Sequence, residues 1–99
     1  MYKGQSIAVI IPCLNEEQGI EQVLRAMPEF VDEIIVVDNN SRDGTAVRAL
    51  KSGARVVHEP RQGYGNALQR GLAAARLPRA LAISHALRLF SKPSVIRRS

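Results

Sequence analysis

The chain has 99 residues, enough for one small domain or part of a larger one. Its 45% hydrophobic and 23% charged residues exclude compositional disorder, and its single Cys excludes a disulfide framework or a multi-Cys zinc site. The net charge of +5 is uneven: residues 1–59 hold every Asp and Glu and sum to −3, while residues 60–99 sum to +8.

Ser6 to Ile11 is a β-branched run that reads as a buried parallel strand ended by Pro12. It is too short to cross a membrane or to serve as a signal-peptide core, so the chain reads as soluble and unprocessed. Asn15 is placed to cap a helix, with Glu16 and Glu17 in its first turn. Ile20, Val23, Leu24 and Met27 recur at helical spacing, and Pro28 stops the pattern. Glu33 to Asp38 is a second strand, apolar throughout its interior. Asn39-Asn40-Ser41 is turn chemistry, and Asp43 or Ser41 caps a second helix running to about Lys51, with Gly53 as its stop. Arg55 to His58 is a third strand, Glu59 to Gly63 a loop, and Gly65 to Arg76 a third helix.

Strands alternating with helices, the strands apolar on both faces, predict an α/β fold with a parallel sheet and flanking helices. Ligands of such sheets bind beyond the carboxyl ends of the strands. The polar residues collect there: Asn15 and Glu16, then Asp38 to Ser41, then His58 to Gly65. Gly63-Tyr64-Gly65 does not complete a dinucleotide fingerprint, because Leu68 stands where the last glycine belongs and the run follows the third strand.

Four segments in order and spacing carry a family resemblance: Val9 to Glu17 (VIIPCLNEE), Val36 to Thr45 (VVDNNSRDGT), Gly53 to Val57 (GARVV) and Arg61 to Gly71 (RQGYGNALQRG). Over residues 6–76 the chain resembles the amino-terminal half of the family 2 nucleotide-sugar glycosyltransferases, nearest the dolichyl- or polyprenyl-phosphate sugar synthases. The resemblance implies a partial GT-A, Rossmann-like fold with an incomplete sheet. It implies inverting transfer of a sugar from a UDP- or GDP-sugar to an acceptor such as a polyprenyl phosphate. The single Cys makes a cytosolic compartment the default, so the chain reads as cytoplasmic, with the cytoplasmic face of the membrane as the alternative and peripheral contact at most. Nucleic acid is not among the implied partners.

Carried onto this sequence, the nucleotide-binding residues are Pro12, Asn15, Glu16, Asp38, Arg61 and Gly63. Asp38 accepts from the base edge, which suits uracil or guanine because each presents an imino N–H. Glu16 accepts from ribose hydroxyls, and Pro12 shapes the loop. Arg61 suits phosphate, and the glycine lets the backbone approach a ligand. Each has a plainer structural reading: a strand-end cap, a first-turn acid, a solvated loop. Cys13 reads as a small buried residue, Asp43 as a cap, His58 as a strand-end polar residue and Tyr64 as packing.

The family holds Mg²⁺ or Mn²⁺ through an Asp-x-Asp motif after the next strand. Here no Asp or Glu follows Glu59, so those metal ligands and any catalytic base are absent from this chain. Residues 1–76 therefore read as the nucleotide-binding half of a glycosyltransferase domain. Residues 77–99 read as a divergent basic tail with the composition of a shifted reading frame. Within it Ala80, Ile83, Leu87 and Phe90 share a helical face, and His85 has no evident partner. The expectation is a truncated, inactive transferase fragment. The alternative is a non-catalytic nucleotide-binding or interaction module whose basic tail docks on anionic partners.

Overall fold

The computed structural model describes residues 1, 3–76, 79–82 and 94–97. Its elements are β1 (Ala8–Cys13), α1 (Ile20–Arg25), β2 (Glu33–Asp38), α2 (Thr45–Lys51), β3 (Arg55–His58), α3 (Tyr64–Ala74), β4 (Arg79–Ala82) and β5 (Ser94–Arg97). They build one sheet in the order β3-β2-β1-β4-β5. β3, β2, β1 and β4 are parallel, and β5 runs antiparallel to β4.

Both strand faces are apolar because both are covered. Val9, Ile11, Cys13 and Val36 pack with Ile20 and Leu24 of α1 and Ala49 of α2. Ala8, Ile10, Ile35 and Val37 pack with Ala67 and Ala75 on the α3 side. The two sets alternate along β1 and β2, as side chains of a strand must. The chain first winds β1-β2-β3, then returns past β1 to β4. The right-handed rule for crossovers requires the returning helix α3 to lie on the face opposite α1 and α2.

Three expectations are corrected. Pro12 does not end β1; the strand runs on through it to Cys13, paired with Val37 and Asp38. In a parallel ladder, alternate residues bond to opposite neighbours. Cys13 turns its carbonyl to the β2 side, where it accepts the Asn39 N–H at 2.8 Å, so Pro12 turns towards β4. Among the described residues the pairing there runs only to Ile10, so the missing proline N–H breaks none of the described ladder bonds.

Asn15 does not cap α1. The helix starts at Ile20 after Gly19, with Glu21 rather than Glu16 or Glu17 in its first turn. The third correction concerns the segment after α3, where Arg79–Ala82 is a strand on β1 rather than the start of an amphipathic helix. A sheet of three strands would leave the β1 edge unpaired, and β4 supplies its partner. Ile83, His85, Leu87 and Phe90 lie outside the described residues.

Candidate nucleotide site

The carboxyl ends of β1, β2 and β3 lie side by side, with Cys13 opposite Asp38 and Asp38 opposite His58. Above them the three following loops are bonded to one another. Asn15, at φ +54°, donates its N–H to Ser41 Oγ at 2.9 Å, and its Oδ1 accepts the Arg42 N–H at 2.8 Å. Asparagine tolerates this left-handed conformation better than most side chains. The Glu16 N–H donates to Thr45 Oγ1 at 2.9 Å, and Thr45 in turn donates to Asp43. Glu17 Oε1 accepts the Gly44 N–H at 3.1 Å, and Oε2 accepts from Arg48 Nε at 3.3 Å. The loop after β1 is thus fixed to the start of α2.

Asp38 is 7% exposed. Its Oδ1 accepts the Ser41 N–H at 3.1 Å, and Oδ2 lies 3.4 Å from His58 Nδ1. A carboxylate offers about four acceptor directions, so two neighbours leave capacity for a ligand donor. Asp43 accepts the Thr45 N–H at 3.0 Å and the Glu17 N–H at 3.3 Å. Desolvation alone would raise its pKa; the bonds from the Thr45 hydroxyl, the Thr45 N–H and the Glu17 N–H hold it below the ordinary carboxylate value. It therefore bonds as a turn residue at the start of α2.

Arg61 is committed within its own loop. Its Nε and its N–H donate to Glu59 Oε2 at 3.2 and 2.9 Å. The guanidinium bond, then the backbone bond, hold Glu59 below its ordinary pKa. The Arg61 side chain is 70% exposed, so an arriving anion has access to it.

A pocket of about 150 Å³ opens between the β1 and β3 loops, lined by Pro12, Cys13, Leu14, Asn39, Gly63 and Tyr64. Of the residues singled out from sequence, Pro12 and Gly63 line it. Asp38 stands next to Asn39 at the end of β2, Asn15 and Glu16 build the loop-to-loop bonds, and Arg61 sits in the loop before Gly63. Sequence reasoning passed over Asn39 and Leu14. The signal for Asn39 was available: an amide at the end of a buried strand needs partners for all its polar atoms. Cys13 is buried, and burial, then the charges of Glu16, Asp38 and Asp43, push its thiol far above the ordinary range. It is no nucleophile near neutral pH.

Residues 8–85 match the family model described as glycosyl transferase family 2. The chain belongs to that family. An uncharacterised glycosyltransferase of Mycobacterium bovis is 49% identical over 75 residues, covering 76% of this chain and 34% of the relative. A glucosyl-3-phosphoglycerate synthase of Mycobacterium tuberculosis is 45% identical over 83 residues, covering 72% of this chain and 26% of the relative. The solved structure of the M. tuberculosis synthase with Mn²⁺, UDP and glucosyl-3-phosphoglycerate superposes with a TM-score of 0.74 at 40% identity, covering 83% of this chain and 34% of that one. Another was solved with Mg²⁺ and UDP. The chain therefore spans between about a quarter and a third of the length of these relatives.

Of these relatives, the M. tuberculosis synthase is named for a glucosylated phosphoglycerate and not for a polyprenyl-phosphate sugar, while the M. bovis relative is named only as a glycosyltransferase. The GT-A neighbours agree with the α/β fold expected from sequence. The relatives' structures carry a divalent cation with UDP. Among the described residues, no three His, Cys, Asp or Glu side chains are grouped to hold one. The residues that follow β4 in sequence, Ile83-Ser84-His85, contain no carboxylate. The described residues therefore do not fit a hard divalent cation, which takes oxygen ligands. Among the described residues, no helix is long and apolar enough to cross a membrane.

Proposed function

We propose that this chain is the nucleotide-recognition part of a family 2 glycosyltransferase whose donor is a UDP-sugar. The observation that carries the reading is Asp38: a largely buried carboxylate at the carboxyl end of a parallel strand, beside a small, mainly apolar pocket. In such sheets this is where ligands bind. Uracil offers an imino N–H to a carboxylate, and adenine offers none. UDP in the structures of the M. tuberculosis synthase supports uridine over the GDP alternative.

In this proposal Asp38 takes the base edge, Pro12 and Gly63 border the base, and the loop with Asn15 and Glu16 lies along the ribose. Arg61 faces the diphosphate, exchanging part of its bond to Glu59 for phosphate oxygens. Residues 1–76 carry these contacts, and the described part of residues 77–99 adds β4 and β5 to the far edge of the sheet. The reaction of the whole enzyme joins an acceptor oxygen to the anomeric carbon as the bond from that carbon to the UDP oxygen breaks. The inverting course belongs to this proposal and is read from the anomer of the product. A phosphorylated small acceptor of the phosphoglycerate kind is favoured over a polyprenyl phosphate by the names of the relatives.

A second reading is favoured by one feature, the absence of any acidic residue after Glu59. On that reading residues 1–99 bind a uridine nucleotide without transferring sugar. Calorimetry with UDP, GDP and ADP tests the part common to both. Binding of UDP, weakened about tenfold or more by Asp38→Ala with the fold retained, is the expected result. Equal affinity for ADP, or an unchanged affinity in Asp38→Ala, removes the reading. Turnover of UDP-glucose by residues 1–99 alone removes the second reading and keeps the first.

A further inference from the structure

Asn39 follows the last residue of β2 and is 5% exposed. Its side-chain amide nitrogen donates to the Glu59 carbonyl and to the Arg61 carbonyl, both at 2.9 Å. Its Oδ1 accepts the Gly63 N–H, also at 2.9 Å. The partners dictate the orientation of the amide. Two carbonyls can only accept and a backbone N–H can only donate, so the flipped amide would lose every bond. The same pattern dictates the residue. Aspartate has no hydrogen for the carbonyls, serine has one, and glutamine is a carbon too long.

These bonds wrap residues 59–63 around the end of β2. Within the wrap, Glu59 holds Arg61 through its N–H and guanidinium. Gly63 sits at φ +135°, a conformation that side chains rarely adopt, and leads straight into α3. Asn39, Gly63 and Tyr64 then form one wall of the pocket, facing Pro12, Cys13 and Leu14.

We propose that Asn39 is the positioning residue of the nucleotide site: it presets the 59–63 loop in its binding-competent shape before any ligand arrives. The inference rests on the uridine-nucleotide reading and adds to it the group that shapes one wall. A ligand meeting a preset loop does not have to order it. When the lock is removed, the two carbonyls and the Gly63 N–H turn to water, and the competent shape becomes one of several. The apparent affinity then falls by the fraction of molecules that retain that shape.

The test uses Asn39→Asp and Asn39→Ala in residues 1–99, with UDP as the probe. Aspartate keeps an acceptor for Gly63 but sets a carboxylate against two carbonyls; alanine removes the bonds without adding charge. Amide exchange is followed at Gly63 in the loop and at Ile10 and Ile35 in the sheet. In both variants Gly63 should exchange about tenfold faster or more, with the two sheet amides unchanged. UDP should bind about tenfold more weakly, through slower association, with the dissociation rate held within about twofold. Unchanged Gly63 exchange in both variants overturns the proposal. A loss carried by faster dissociation also overturns it, since it makes Asn39 a direct ligand contact. Faster exchange at Ile10 and Ile35 alongside Gly63 overturns it too, because Asn39 then supports the whole fold. If the unaltered chain binds no UDP, the uridine reading fails, and the exchange pattern alone still decides whether Asn39 presets the loop.

Discussion

At the scale of single residues, this site is held by side chains that bond backbone. Asn15, Asn39 and Asp43 bond main-chain groups of a neighbouring loop, and Asp38 and Glu59 bond main-chain groups of their own loops. Such bonds satisfy loop amides that no strand can reach, and they fix loop shape at little cost in side-chain entropy. Cys13 is different in kind, because it is fully packed and its thiol is kept protonated by burial. Its folded-state pKa lies above the unfolded value. The resulting stability is present in full below about pH 8.5, where the unfolded thiol is also protonated. It is lost as pH rises further, by up to about 1.4 kcal/mol per pH unit. Urea unfolding between pH 7 and 10 checks this against Cys13→Ala. The unaltered chain should lose stability relative to the variant above pH 8.5, and parallel profiles would remove the effect.

At the scale of elements, most of the sheet was legible because strands buried on both faces leave a plain mark. β2 and β3 fall on the residues expected, and the apolar row of α1 packs as its spacing requires, with Ile20 and Leu24 buried and Val23 and Met27 against the core. The start of α1 was not legible. Asn15, Glu16 and Glu17 have the composition of a helix N-terminus, but their partners are Ser41, Thr45 and Gly44, about 26–29 residues away in the chain. Long-range loop bonding overrides a local preference that no sequence window can weigh. The contact between α3 and the sheet gives a sharper case. A methyl group at Gly71 would lie 2.4 Å from Ile10 Cγ2 and 3.0 Å from Val37 Cγ2. At Gly65, in the same helix, it would meet nothing within 4 Å. Glycine to alanine gains up to about 1 kcal/mol in a helix interior, whereas overpacking a core costs about 1–3 kcal/mol. Gly65→Ala should therefore raise the melting temperature and Gly71→Ala should lower it. Equal shifts in the two would mean that α3 is free to move away from β1.

At the scale of the whole molecule, what the chain contains decides which part of a sugar nucleotide it can hold. The family match runs over residues 8–85 and takes in β4, the strand that sequence periodicity had missed. Four residues of mixed composition, Arg79-Ala80-Leu81-Ala82, carry too little pattern to signal a strand; the open edge of β1 recruits them. The binding groups named from sequence all lie on the β3-β2-β1 side of the sheet, and in the proposed function they address a base, a ribose and at most an Arg-bound phosphate. Charge neutralisation of a diphosphate by a cation needs carboxylates, and every carboxylate side chain of this chain is at or before Glu59. Among the described residues none is grouped into a cation site. UDP binding by residues 1–99 should therefore be indifferent to divalent metal. Calorimetric titrations in excess Mn²⁺ and in excess EDTA should give dissociation constants within about twofold of each other. UMP should bind nearly as well as UDP, because the second phosphate gains no metal contact. A tightening of about tenfold or more on adding Mn²⁺ would mean that the chain assembles a cation site of its own, with the diphosphate as one ligand. The base-side account of Asp38 would survive that result, and the account of a metal-free nucleotide site would not.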